Sequence, residues 1–203
     1  MEEKTKMKKP NGYNNAQSYD GSFVRMTAGG HVCEILKATV IDTEYGEQMV
    51  LLLDINENSE FDGYYKNDYS RRATKSAEAK WGCTFRQFIL DRDGNASPYF
   101  KGMIENIEKS NDFTFNWDET KLKGLLVGVV FREEEYEKAD GSIGVAVRPY
   151  AIRKIDDIIN GVPVPNRKTI ERKDNITQMP TNNFSAATAK KDFVEVEDDE
   201  LPF

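Results

Sequence analysis

The sequence predicts a mainly β domain closed into a small barrel, with polar, irregular segments at both ends. Three observations predict it. Aliphatic runs of strand length recur between clear turn signals. One amphipathic stretch of helical period separates the third run from the fourth. A hydrophobic content of 38% in 203 residues, beside 31% charged residues, suits one core of roughly 130 to 150 residues with solvated ends.

Residues 1–22 are polar, rich in Lys, Asn, Gly and Tyr, and read as a flexible N-terminal arm. A domain over 23–162 begins near Phe23-Val24-Arg25-Met26. After Gly29-Gly30, apolar positions alternate along His31–Ile41 as in a half-buried strand. Tyr45-Gly46-Glu47 turns the chain into Gln48–Ile55, an aliphatic run suited to a buried strand paired with the first as a hairpin. Asn56–Glu60 and Asp62-Gly63 break the pattern. From Tyr64 to Phe88 the sequence is less regular and more basic, with a strand or its edge within Trp81–Ile89.

Asp91–Gly94 is a turn, and Pro98 can open a helix across Tyr99–Glu108. Phe100, Met103, Ile104 and Ile107 share one face of it, and Asn111-Asp112 ends it. Phe113, Phe115 and Trp117 alternate with polar residues and are expected to pack under that helix. Leu125–Phe131 is a strand. Lys138–Gly141 turns into Ser142–Arg153, its hairpin partner, where Pro149 demands an edge or a bend. Ile155–Asn160 fits one helical turn before Gly161. Five strands with a helix between strands 3 and 4 form the layout of the OB-fold, a five-stranded Greek-key barrel; other small β-barrels share that layout.

Beyond Pro163 periodicity disappears, and 163–191 reads as a disordered linker to an acidic tip at 192–203. Net charge is −7, and six carboxylates between Asp192 and Glu200 supply most of it. The rest of the chain is therefore nearly neutral, which leaves room for a basic face. Cys33, Cys83 and His31 are the only Cys and His residues. Structural zinc sites normally take four such ligands, so the cysteines read as reduced core thiols and no cofactor is expected. The N-terminus lacks the apolar stretch of a secretion signal, and no segment has the ~18 apolar residues of a membrane span. A cytoplasmic protein is expected.

Holding a single nucleic-acid strand without reading its sequence takes cations along the phosphates and aromatic faces for unstacked bases. Residues 64–86 supply both. Lys66, Arg71, Arg72, Lys75, Lys80 and Arg86 outnumber Asp68 and Glu78, and Tyr64, Tyr65, Tyr69, Trp81 and Phe85 lie among them. Arg71 and Arg72 fall in what reads as an irregular polar loop with no core role. Trp81 either packs in the core or meets a base. Phe85 and Phe88 are expected to divide, one facing inward and one outward. Arg148, Tyr150 and Arg153 offer an extension of the same groove. Each stacked base contributes about 1–3 kcal/mol, so a few stacks with several phosphate contacts give useful affinity.

The tip ends Asp198-Asp199-Glu200-Leu201-Pro202-Phe203. Acidic tails are common as solvated ends. An apolar Leu-Pro-Phe plug at the extreme terminus suits a pocket on another protein, with a basic rim receiving the acids. This ending resembles the C-terminal tip of bacterial and phage single-stranded DNA-binding proteins, which recruits replication and repair enzymes. In the body, Ala28–Cys33, Phe61–Lys66, Tyr99–Gly102, Asn116–Asp118, Leu122–Val130 and Arg132–Tyr136 resemble a single-stranded DNA-binding family of phages and prophages of Gram-positive bacteria. That resemblance implies an OB-type body, work in phage replication or recombination in a bacterial cell, and no catalysis. It implies single-stranded DNA and replication or recombination proteins as partners. The body does not resemble the cellular proteins of this kind, so their tetramer is not implied, and a homo-oligomer stays open.

Two rival readings remain. One is a β-barrel adaptor whose functional element is the tip alone. The other is a Mg²⁺-dependent nuclease using scattered carboxylates such as Asp42, Asp54, Glu57 and Asp62, for which no phosphate loop or nucleophile motif speaks.

Overall fold

The computed structural model describes residues 8–11, 13–14 and 24–170. The expected tip, and with it Asp198, Asp199, Glu200, Leu201, Pro202 and Phe203, lies outside the described residues. So does most of the expected arm and linker.

Five antiparallel strands form one sheet in the order β3-β2-β1-β4-β5. They are β1 Gly29–Thr43, β2 Gly46–Ile55, β3 Thr84–Phe88, β4 Leu126–Glu137 and β5 Ile143–Arg153. Helices α1 Tyr64–Ala73, α2 Pro98–Asn111 and α3 Ile155–Ile159 are joined by a 3-10 turn at Glu119–Leu122. None of the helices among the described residues is long and apolar enough to cross a membrane.

The expected hairpin of the first two strands is present, with Thr43 paired to Gly46 at its turn. His31, Cys33 and Ile35 are buried at alternate positions of β1. A bulge between Ile35 and Lys37 then inserts one residue, so burial resumes at Ala38. One extra residue is what shifts a period-2 pattern to the other face. Met49 to Ile55 of β2 are buried throughout, as a continuous aliphatic run predicts.

Helix α2 buries Phe100, Met103, Ile104 and Ile107, the four residues that shared a face in the sequence. Ser97 caps its start, Pro98 takes the first turn, and Asp112 ends it in a left-handed conformation with φ of 48°. The helix packs on β4 and β5. On β4, α3 approaches so closely that a Cβ on Gly128 would lie 2.5 Å from Ile158 Cγ1 and 2.6 Å from the Lys154 carbonyl oxygen. Only glycine admits that contact. Pro149 sits on the edge strand at a bulge, where Val130 faces Ala151 and Phe131 faces Pro149. Both alternatives read from the sequence, edge and bend, occur there together.

Two segments depart from expectation. The stretch that read as irregular contains α1. Tyr65 is its sole buried residue, so no 3.6-residue apolar repeat marks it in the sequence. Its first turn is held from a distant strand: Asp54 Oδ1 on β2 accepts a hydrogen bond from the Tyr65 N–H at 2.9 Å. The second departure is Trp117. Phe113 and Phe115 pack against the core as expected, but Trp117 is 79% exposed with φ of 66°. A left-handed residue turns the chain out of alternation, so the aromatic series stops after Phe115.

Candidate nucleic-acid interface

β1 pairs with β4 only as far as Phe131, opposite Gly29. Beyond that point β4 continues with β5 alone, and the two form a projecting hairpin out to Glu137 and Ile143. Part of the segment expected as linker closes the edge that β1 leaves. The Lys168 N–H donates to the Glu133 carbonyl, and the Glu135 N–H donates to the Lys168 carbonyl, both at 2.9 Å. Arg167 pairs with the Glu133 carboxylate, its Nε donating at 2.7 Å, and the Ile170 N–H reaches the Glu135 carboxylate. Pairing the edge removes a row of open backbone groups and braces the hairpin.

A groove of about 780 Å³ separates this hairpin from α1 and the chain leading into β3. Five cations line it, Arg25, Arg72, Lys80, Lys138 and Arg148, against one carboxylate, Asp68. Tyr64, Tyr65, Trp81 and Tyr136 supply the rings.

The α1 wall is heavily cross-linked. Asp68 receives Arg71 Nη2 at 2.6 Å and Arg72 Nε at 2.7 Å, while Arg72 Nη2 donates to the Lys80 carbonyl at 2.8 Å. Arg71 and Arg72 therefore belong to a helix and an ion-pair network, not to an irregular loop. Trp81 is half-buried: its Nε1–H donates to the Leu53 carbonyl at 2.9 Å, and its ring lies 5.6 Å from that of Tyr69. Part of the indole thus packs and part faces the groove. Tyr65 has no open face for a base. It is 5% exposed, stacks on Phe131 at 6.3 Å, and donates its hydroxyl to Met26 Sδ at 3.1 Å. An aromatic beside basic residues reads as a stacking ring until the helix turns it inward.

On the hairpin wall Tyr136, Lys138 and Arg148 face the groove with Ile143 and Val145, which are 40% and 44% exposed. Among the described residues Lys138 and Arg148 form no ion pair. The sequence reading included Arg148 and missed Tyr136, Lys138 and Arg25 as groove residues. Their signal lay in hairpin register, which pairs Tyr136 with Gly144, rather than in local composition.

Seven proposed contact residues fall outside the lining of the groove: Lys66, Tyr69, Arg71, Lys75, Arg86, Tyr150 and Arg153. Tyr150 is 48% exposed at the bulge of β5 and stacks under the Arg132 guanidinium at 4.4 Å. Arg153 closes β5 and donates to the Ile152 carbonyl. Arg86 pairs with Val50 in the sheet, next to Phe85, which packs against the core. Phe88 is 38% exposed, so the two phenylalanines divide as expected.

Beneath the groove the titratable groups are structural. Burial pushes the Cys83 and Cys33 thiols up, which keeps them protonated and unreactive. Burial likewise raises the Asp54 carboxyl, against the hydrogen bonds it accepts from the Tyr65, Ile55 and Lys66 N–H groups. Burial also acts upward on Glu57, but hydrogen bonds from His31, Ser59 and the Val32 N–H outweigh it and hold that carboxyl low. Among the described residues no three His, Cys, Asp or Glu side chains gather in a way that could hold a metal ion, so Asp42, Asp54, Glu57 and Asp62 form no such cluster. Neither a family model nor a curated protein matches the chain.

Proposed function

We propose that the protein binds single-stranded DNA without sequence preference in this groove and recruits replication or recombination enzymes through its acidic C-terminal tip. The observation that carries the reading is the groove itself: five cations against one carboxylate, in a chain of net charge −7, beside partly exposed aromatic rings. Cations neutralise phosphates and release their counterions, while ring faces take bases of any identity. The sheet order supports an OB-type barrel. Its antiparallel pairings run β3 and β5 in the same direction, and these two edge strands approach each other, as in such a barrel opened along one seam. Base-binding barrels of that type commonly use the hairpin between the last two strands, and here that hairpin forms one wall.

Titration with a thymidine homopolymer at two salt concentrations tests the proposal. The expected result is submicromolar binding in dilute buffer that falls steeply as salt rises. No binding in dilute buffer refutes it and leaves the adaptor reading. Removal of 192–203 is expected to abolish enzyme recruitment and to tighten DNA binding at low salt, because a competing polyanion is lost. Weaker DNA binding after that truncation overturns the role given to the tip.

A further inference from the structure

Tyr136 and Gly144 are directly opposed across the β4–β5 hairpin. A Cβ on Gly144 would lie 2.5 Å from Tyr136 Cζ, 2.7 Å from Cε1 and 2.8 Å from the hydroxyl oxygen. The phenol ring therefore lies flat across the glycine, where any side chain would lift it. Gly144 is buried under the ring, yet Tyr136 remains 44% exposed. One ring face is covered by backbone, and the exposed remainder lines the groove. A tyrosine seated this way has little rotamer freedom left to lose when a flat partner lands on it. The other groove rings are less available. Tyr65 is buried, Tyr64 meets Tyr65 and Phe61 edge-on, and Trp81 is tied to Leu53 and Tyr69.

From this geometry we propose that Tyr136, held flat by Gly144, is the principal base-stacking platform of the groove, with Lys138 beside it positioned for a neighbouring phosphate. The inference rests on the single-stranded DNA reading and adds to it the residue that meets the base. It assigns base contact to the hairpin wall, and it makes Gly144 a positioning residue for the ring.

The test uses the full chain and two labelled oligonucleotides of equal length, one of thymidine and one abasic, each titrated across a salt series. Tyr136→Leu is expected to weaken thymidine binding roughly five- to 150-fold, the loss of one stacked base. The slope of log affinity against log salt is expected to stay the same, since no phosphate contact is lost. Affinity for the abasic strand is expected to fall less than twofold. Tyr136→Phe is expected to recover at least half of the lost affinity, and Gly144→Ala, which displaces the ring while leaving it in the chain, to reproduce most of the Leu defect. Equal losses on both oligonucleotides, or thymidine binding unaffected by Tyr136→Leu, overturn the platform while leaving the groove intact as a binding site. If the wild-type chain binds neither strand in dilute buffer, the single-stranded DNA reading and the platform fall together.

Discussion

On the α1 side of the groove, Asp68 holds Arg71 and Arg72, and a lysine carbonyl takes a further hydrogen bond from Arg72. On the hairpin side Lys138 and Arg148 line the same space and form no ion pair among the described residues. The rings differ in the same sense: Tyr65 and Tyr69 are committed to packing, while Tyr136 lies open on a glycine. The wall with more basic and aromatic residues in sequence is therefore the wall with fewer available. A charge or a ring already satisfied within the protein has less to gain from a ligand, because binding must first break or share what holds it.

Charge reversal on the two walls gives the largest expected contrast. Lys138→Glu with Arg148→Glu is expected to weaken thymidine binding at low salt by roughly 100-fold and to lower the salt slope by about two. Lys66→Glu with Lys75→Glu removes as much positive charge from the α1 region, outside the groove lining, and is expected to cost less than about threefold through long-range potential alone. Comparable losses from the two double variants break the comparison. They would indicate a strand path over α1, as the composition of 64–86 first suggests.

That contrast also shows what could be read from sequence. β1, β2 and α2 were legible because each carries its own apolar pattern: alternation in β1, a continuous aliphatic run in β2, and four apolar residues on one face in α2. Helix α1 was not, since its first turn is held by Asp54 on another strand and it buries only Tyr65. The groove was half legible. Arg72, Lys80, Trp81 and Arg148 could be named from local composition, whereas Tyr136 and Lys138 depend on hairpin register, and Arg25 on where the N-terminal segment crosses. Trp117 went the other way: alternation predicted burial, and one left-handed residue cancelled it.

A smaller effect sharpens the contrast within the α1 wall. Asp68→Asn keeps the shape of the side chain and removes the charge that holds Arg71 and Arg72. DNA affinity at low salt is expected to rise about threefold, with a slightly steeper salt slope, as Arg72 becomes available to phosphate. The stability change is expected to stay below about 1 kcal/mol, because both ion pairs are partly exposed. Anisotropy titration and thermal unfolding read the two effects separately. Unchanged or reduced affinity would show that Arg72 serves only the helix.

The smallest expected effect concerns how the α1 wall is mounted, and its sign depends on pH. The Asp54 carboxyl is raised in the folded protein by burial, so its contribution favours folding below the unfolded carboxylate range near pH 4 and is lost as pH rises through the folded value. Asp54→Asn keeps an oxygen able to accept from the Tyr65 and Ile55 N–H groups and carries no charge to desolvate. It is expected to raise the unfolding temperature by a few degrees at pH 7 and to match the wild type near pH 3. Glu57 is shifted the other way, its hydrogen bonds from His31, Ser59 and Val32 outweighing burial. Its contribution is present above the unfolded range and disappears as pH falls through the folded value. Glu57→Gln is therefore expected to lower the unfolding temperature at pH 7, with the difference narrowing toward pH 3. Unfolding curves of both variants across this range separate the two carboxyls. If Asp54→Asn destabilises at neutral pH, the ionised carboxylate is what holds the first turn of α1, and charge-assisted hydrogen bonding there exceeds the cost of burying it.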